Sequence, residues 1–253
     1  MKLAAQFYTV REFTKTLPAL EESIQKAAQI GYPAIQLSAT CPYPPEWMAE
    51  QLERAGLICA CTHTNLERLA KVPAQVAAEH RLYNCRNIGV GCMPRPTGDL
   101  EADYRNFAQT FVPVAEALSH AGAKLMYHNH DFEFKVPGKN LLDRMIEDFP
   151  DDLEFILDTF WLAAAGEDPA AWIQKLSGRV RCIHFKDMAF VDGQRKMAVV
   201  GEGTLDFASI LEACKAAGTE YIIVEQDDCN GEDPFECLRR SYQNLQQMNS
   251  WDD

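Results

Sequence analysis

Short apolar runs alternate with longer amphipathic stretches along the whole chain, and this rhythm restricts the fold more than any other feature. Eight runs read as strands, at residues 2–8, 34–37, 57–63, 87–92, 124–130, 153–158, 180–185 and 221–225. Helix-patterned stretches follow them at residues 17–30, 45–55, behind Asn65, and at 100–121, 140–148, 169–176, 207–217 and 234–248. Asn65 suits an N-cap, and Gly31, Gly56, Gly122, Gly178 and Gly218 stand where helices should end. Strand–helix units in series make a parallel sheet with its helices outside. Eight of them in 253 residues fit a closed (β/α)8 barrel better than an open doubly wound sheet. No GxGxxG turn follows the first strand, which weakens a dinucleotide-binding reading. No linker-like or low-complexity stretch interrupts the pattern, so a single domain over residues 1–253 is expected.

In such a barrel the chemistry sits at the C-terminal strand ends. The fifth run is the most informative: residues 125–134, LMYHNHDFEF, place His128 and His130 one residue apart, on one face if the strand continues through both. Three later runs also stop on a candidate ligand, at Asp158, His184 and Glu225. Neighbouring strands lie about 4.8 Å apart, so four adjacent ends can reach one ion. Imidazoles together with carboxylates suit Mn, Co, Zn or Fe, and Mg tolerates imidazole less well. Each residue also has a plainer reading. A strand-end histidine is commonly a structural hydrogen-bonding group, Asp158 could cap the next segment, and Glu225 could be the first solvated position after its strand. Four successive ends of this kind favour a metal site.

A formal charge of −13 argues against nucleic acid or an anionic membrane as the main partner. The nine cysteines include no CxxC pair and read as buried thiols of a reducing compartment. The first residues lack a signal-peptide core and no run is long enough to span a bilayer, so a cytoplasmic protein is expected.

Taken together, QFYTVREF (residues 6–13), YHNHDFEF, ILDTFW, IHFKDM, GEGTLDF (201–207) and IIVEQD resemble the sugar phosphate isomerase/epimerase family of xylose-isomerase-like barrels. The resemblance runs over nearly the whole chain, and the later motifs are its most specific part. It implies a divalent metal held by Glu, Asp, His and Glu from strands five to eight. Asp158, His184 and Glu225 match the last three. At the first position this chain carries His128, as in a YHNH subgroup that includes proteins resembling keto-sugar lyases; His130 and Glu133 are rivals for that place. Losing that carboxylate puts a two-glutamate epimerase mechanism in doubt.

The chemistry expected is removal of a proton next to a carbonyl, with Glu225 or His130 moving the proton. Isomerisation or epimerisation of a sugar or keto-sugar is the leading expectation; elimination from a 3-keto-sugar, keto-glycoside or inosose is the alternative. Lys186 either stabilises the developing anion or faces solvent paired with Asp187. His63, Tyr8, Glu133, Trp161 and Glu202 are candidates for holding the sugar, with Glu202 in a long loop after strand seven. No cluster of Lys and Arg marks the strand ends, which disfavours a phosphorylated substrate. Related barrels often pair, so a homodimer is open.

Overall fold

Eight parallel strands close on themselves in a computed structural model of the chain, which describes residues 1–149, 151–248 and 251. The barrel strands are β1 (Lys2–Gln6), β2 (Ala34–Leu37), β3 (Ile58–His63), β4 (Asn87–Val90), β5 (Lys124–His128), β6 (Leu153–Asp158), β7 (Cys182–Phe185) and β10 (Tyr221–Val224). They run in that order around the barrel, with β10 closing against β1. The remaining strands, β8 (Asp187–Val191) and β9 (Gln194–Ala198), form an antiparallel hairpin above the barrel mouth. The expected (β/α)8 architecture is therefore the observed one.

Around the wall pack α1 (Leu17–Ile30), α2 (Pro45–Ala55), α3 (Leu66–Lys71), α4 (Pro73–Leu82), α5 (Leu100–His120), α6 (Leu141–Asp148), α7 (Thr159–Ala164), α8 (Pro169–Lys175), α9 (Phe207–Ala217) and α10 (Pro234–Met248). Their apolar faces and the outward residues of the strands make the main core. The caps follow the residue chemistry: the Asn65 side chain accepts from Arg68 N, and Gly31, at φ 115, closes α1. Among the described residues no helix is long and apolar enough to cross a membrane.

Inside the barrel, Ala4, Ala34, Ala60, Cys61, Met126, Ile156, Cys182 and Ile223 form a separate apolar floor. Above it the inward positions turn polar at Gln6, Gln36 and His184. This layering puts a dry, packed base beneath a polar mouth.

Three local differences from the sequence reading matter for the site. The fifth strand ends at His128, not at residue 130, so His130 reaches the mouth from the loop beyond it. The segment after β7, expected as a loop, is the β8–β9 hairpin, turned through Asp192 and Gly193 at φ 50 and 73. Its root residue Asp187 does not pair with Lys186. Its buried carboxylate accepts backbone N–H groups from Met188, Gly201, Gly203 and Leu205 at 2.7–3.2 Å. A Cβ at Gly203 would lie 2.4 Å from Asp187 Oδ1, so only glycine allows this approach.

Candidate active site and metal centre

The run Tyr127-His128-Asn129-His130 builds one wall of the site, and each residue has a separate task. Tyr127 points outward and its hydroxyl donates to Glu133 Oε1 at 2.8 Å. His128 points inward. Asn129 Oδ1 accepts from the backbone N–H of Asp158 at 2.9 Å and so ties β5 to the end of β6. His130 donates its own N–H to Glu133 Oε2 at 2.9 Å, and its ring lies 4.8 Å from that of His128 and 5.2 Å from Trp161.

His128, Asp158, His184 and Glu225 are all buried, and one ligand atom from each lies within 4.8 Å of all the others. These are the four residues expected as metal ligands. Asp158 does cap the next segment, Oδ1 accepting from Trp161 N at 3.0 Å, and its Oδ2 is left facing His128 and His184. Glu225 is not a solvated strand end; it is 4% exposed.

The tautomers of the two imidazoles follow from their outer partners. His184 Nε2 lies 2.7 Å from Gln36 Oε1, and His128 Nδ1 lies 2.9 Å from the Gly91 carbonyl oxygen. Those oxygens can only accept, so the outer nitrogens carry the protons and, in the neutral rings, the inner nitrogens present lone pairs. His128 Nε2 faces Asp158 Oδ2 at 3.1 Å, and His184 Nδ1 faces Glu225 Oε2 at 2.9 Å. The second contact is close yet not aligned as a hydrogen bond. Lone pairs directed at carboxylate oxygens repel unless a cation stands between them.

One cation is already present. The Lys186 ammonium is 1% exposed and lies 3.0 Å from Asp158 Oδ2, 2.8 Å from Glu225 Oε2 and 3.1 Å from Asp227 Oδ1. Burial alone would raise the pKa of Asp158 and Glu225, but Lys186 outweighs it and holds both carboxyls well below the usual range. In return, burial pulls Lys186 down while Asp158 and Glu225 more than compensate and raise it. Asp227, pushed up to about 6 by burial and by Glu225, is the third acid. Three carboxyl groups thus face one ammonium, so negative charge is in excess. The two nitrogen and two oxygen donors and this excess fit a divalent cation.

Burial pulls His184 down, but Glu225 and Asp158 outweigh it and its pKa is raised. Burial and His184 lower His128. His130 is pushed down to about 3 by burial first and by His128 next, so it is a neutral imidazole. Its Nδ1 and the Trp161 indole N–H are buried without a hydrogen-bond partner. Both rings border the metal group, with Lys186 Nζ 5.7 Å from the Trp161 ring centroid.

The other expected sugar-binding residues divide. His63 lies at the mouth, its ring 5.5 Å from His128 and 5.6 Å from His184. Tyr8 is at the rim, 36% exposed beneath the Arg11 guanidinium. Glu133 is corrected: it is fully buried and both oxygens are occupied by Tyr127 and His130, so it neither replaces His128 as ligand nor touches a substrate. Glu202 is corrected too, because it is drawn outward to Arg240 Nε at 3.2 Å on α10. Gln6, Gln36 and Asp227 were missed. The EQDD run held a signal for Asp227, whereas the glutamines look like any inward strand residue.

Comparison with known proteins supports the fold. The sugar phosphate isomerase/epimerase of Parabacteroides distasonis superposes with a TM-score of 0.79 at 21% identity, over 97% of this chain and 93% of that one. The probable 3-DHS dehydratase AsbF of Bacillus anthracis gives 0.75 at 14% identity, over 98% and 100%. In sequence, the inosose dehydratase of Lacticaseibacillus casei is 28% identical over 152 residues, 53% of this chain and 51% of that protein. The match therefore spans only about half the length of that curated relative. The family model for the xylose isomerase-like TIM barrel matches residues 24–246, and the chain belongs to that family.

Proposed function

We propose that the protein is a divalent-metal-dependent enzyme that removes a proton next to the carbonyl of a keto-sugar or inosose and expels a β-oxygen. A metal held by His128, Asp158, His184 and Glu225 would polarise the carbonyl and stabilise negative charge on its oxygen. The observation that carries the choice of elimination is the unequal pair around Trp161. The His130 ring keeps a buried Nδ1 without a hydrogen-bond partner that can accept a proton, while the Lys186 ammonium, its Nζ 5.7 Å from the same indole, can donate one. His130 takes the proton from carbon, the electron pair forms the new C=C bond, and Lys186 protonates the departing oxygen. The products are an enone and water or an alcohol, and solvent returns the proton from His130 to Lys186. The partial match to an inosose dehydratase supports the same class.

Isomerisation or epimerisation is the second reading. It is supported by Glu225, a carboxylate at the same mouth that could return the proton to a neighbouring carbon or to the opposite face. Epimerisation uses a proton-moving group on each face of the substrate, and His128 in place of the first carboxylate weakens that symmetry.

Proton NMR of the Mn-reconstituted protein, exchanged to Zn for recording in D2O, separates these outcomes with a panel of keto-sugars, 3-keto-glycosides and inososes. The expected result is an enone with released water or alcohol. Deuterated sugar isomers or epimers without enone would transfer the assignment to the second reading. No exchange from any member of the panel would overturn proton abstraction for these substrates.

A further inference from the structure

A second cavity opens between the mouths of β2 and β3 and helix α4, beside the metal group rather than over it. Its volume is ≈ 490 Å³, within the range of about 300–1,000 Å³ typical of small-molecule sites. His63 is the wall shared by the two spaces. It lines the cavity with Ser38, whose Oγ is 3.1 Å from His63 Nδ1, and its ring approaches both His128 and His184.

The hydrogen-bond polarity of the cavity can be worked out from its deepest member. His80 Nδ1 lies 2.8 Å from the Val76 carbonyl oxygen and must donate to it. Burial keeps this ring neutral, with its pKa pushed down to about 4, so Nε2 is an acceptor. The Thr62 hydroxyl, 2.9 Å away, therefore donates to His80 Nε2. Having used its proton, Thr62 accepts from Thr64, whose Oγ1 is 2.9 Å distant. Thr64 Oγ1, on the cavity wall, is left with lone pairs only. The cavity thus asks for a hydrogen-bond donor.

Its charge is also spoken for. Arg68 Nη2 donates to both oxygens of Glu79, at 2.5 and 2.6 Å, so the cationic group on the wall is already paired. That arrangement disfavours a phosphate and suits a neutral ligand. Tyr43 and Tyr83 add aromatic surface, with ring centroids 6.3 Å apart. Ala39 on the same wall holds φ 56, a left-handed conformation unusual for a residue with a Cβ. Such strain concentrates at ligand clamps.

We infer that this cavity is a subsite for a second, neutral sugar ring of the substrate, one of whose hydroxyls donates to Thr64 Oγ1. The inference rests on the proposed function for the position of the first ring, at the metal group. It makes the preferred substrate a keto-disaccharide rather than a keto-monosaccharide.

Two measurements test it. Saturation-transfer NMR on the metal-free protein with a 3-keto-disaccharide reads contact with the second ring whether or not chemistry occurs. The ratio of kcat/KM for the 3-keto-disaccharide to that for the matching methyl 3-keto-glycoside reads the same contact in the Mn-loaded enzyme. We expect saturation of the second-ring protons and a ratio above about ten. Thr64→Val should lower the ratio about tenfold, the size of one lost hydrogen bond, and Thr64→Ser should restore it. An unsaturated second ring, or a ratio near one that Thr64→Val does not move, would overturn the subsite even if the first ring reacts. Saturation that Thr64→Val abolishes, with no turnover of either substrate, would sustain the subsite and overturn the proposed chemistry instead.

Discussion

The two halves of the barrel mouth differ in charge. The ends of β5, β6, β7 and β10 carry His128, Asp158, His184, Lys186 and Glu225, all buried, with the half-buried Asp227 beside them. The ends of β1 to β4 carry Gln6, Gln36, Ser38, His63, Thr64 and Gly91, all neutral groups, with burial holding His63 well below its ordinary pKa. The neutral half is not idle. Gln36 and Gly91 supply the oxygens that fix the tautomers of both inward-facing imidazoles, and Thr64 closes a hydrogen-bond chain on the cavity wall. One half concentrates charge, and the other supplies acceptors that orient two of its imidazoles.

The largest effect is expected from Lys186→Met on the charged half. Removing the Lys186 ammonium leaves Asp158 and Glu225 buried together beside the half-buried Asp227, and loss of one partner of a buried ion pair costs about 3–5 kcal/mol. Urea unfolding of the metal-free variant should show a drop of that order, partly recovered with Mn. An unchanged midpoint would break the claim that this half depends on an internal cation.

On the neutral half, His80 predicts a pH effect of similar size. Its folded pKa of about 4 lies below the ordinary value of 6.5, so the unfolded chain binds the extra proton between those values. Its contribution is complete above pH 6.5 and falls as pH drops towards 4, by up to about 3 kcal/mol. Glu133, raised to about 7 by burial, acts in the opposite direction: its stability is present below pH 4.5 and lost as pH rises to 7. Wild-type curves therefore mix the two. The difference between wild type and His80→Gln, followed by thermal melting from pH 4 to 7, isolates the histidine, and parallel curves would contradict the assignment.

Gln36→Leu sharpens the comparison where the halves meet. It removes the acceptor that orients His184, and losses of this kind weaken metal affinity roughly 10–100-fold. Mn titration by calorimetry should show that decrease, and wild-type affinity would mean that Gln36 does not set the tautomer. Glu202→Gln is the smallest change. Because Glu202 pairs with Arg240 at an exposed position, we expect stability within ~0.5 kcal/mol of wild type and an unaltered Mn affinity. A substantial fall in either would return Glu202 to the site.

Much of the charged half was legible from local sequence. Asp158, His184 and Glu225 each end an apolar run, and β-strand periodicity carries such residues to a barrel mouth. Lys186 was visible as a candidate, but its partners Asp158, Glu225 and Asp227 were not, since the chain offers the adjacent Asp187 as the nearest acid. Glu133 misled because its neighbours are candidate ligands. The short helical turn at Phe132–Phe134 instead draws it under His130 and against Tyr127. The β8–β9 hairpin was hidden because β8 follows β7 after a single residue, Lys186, and β9, QRKMA, is charged and largely exposed, with no apolar face to mark it.

The sequence by itself determined the succession of eight strand–helix units, most helix boundaries and the four strand-end residues that converge at the mouth. These depend on side-chain periodicity and on capping, which act within a few residues. Tertiary structure alone decided which nitrogen of each histidine faces inward, which acid Lys186 meets and where Thr64 hands its proton. The reason is distance along the chain: Gln36 meets His184, Gly91 meets His128 and Asp227 meets Lys186 only when the barrel closes.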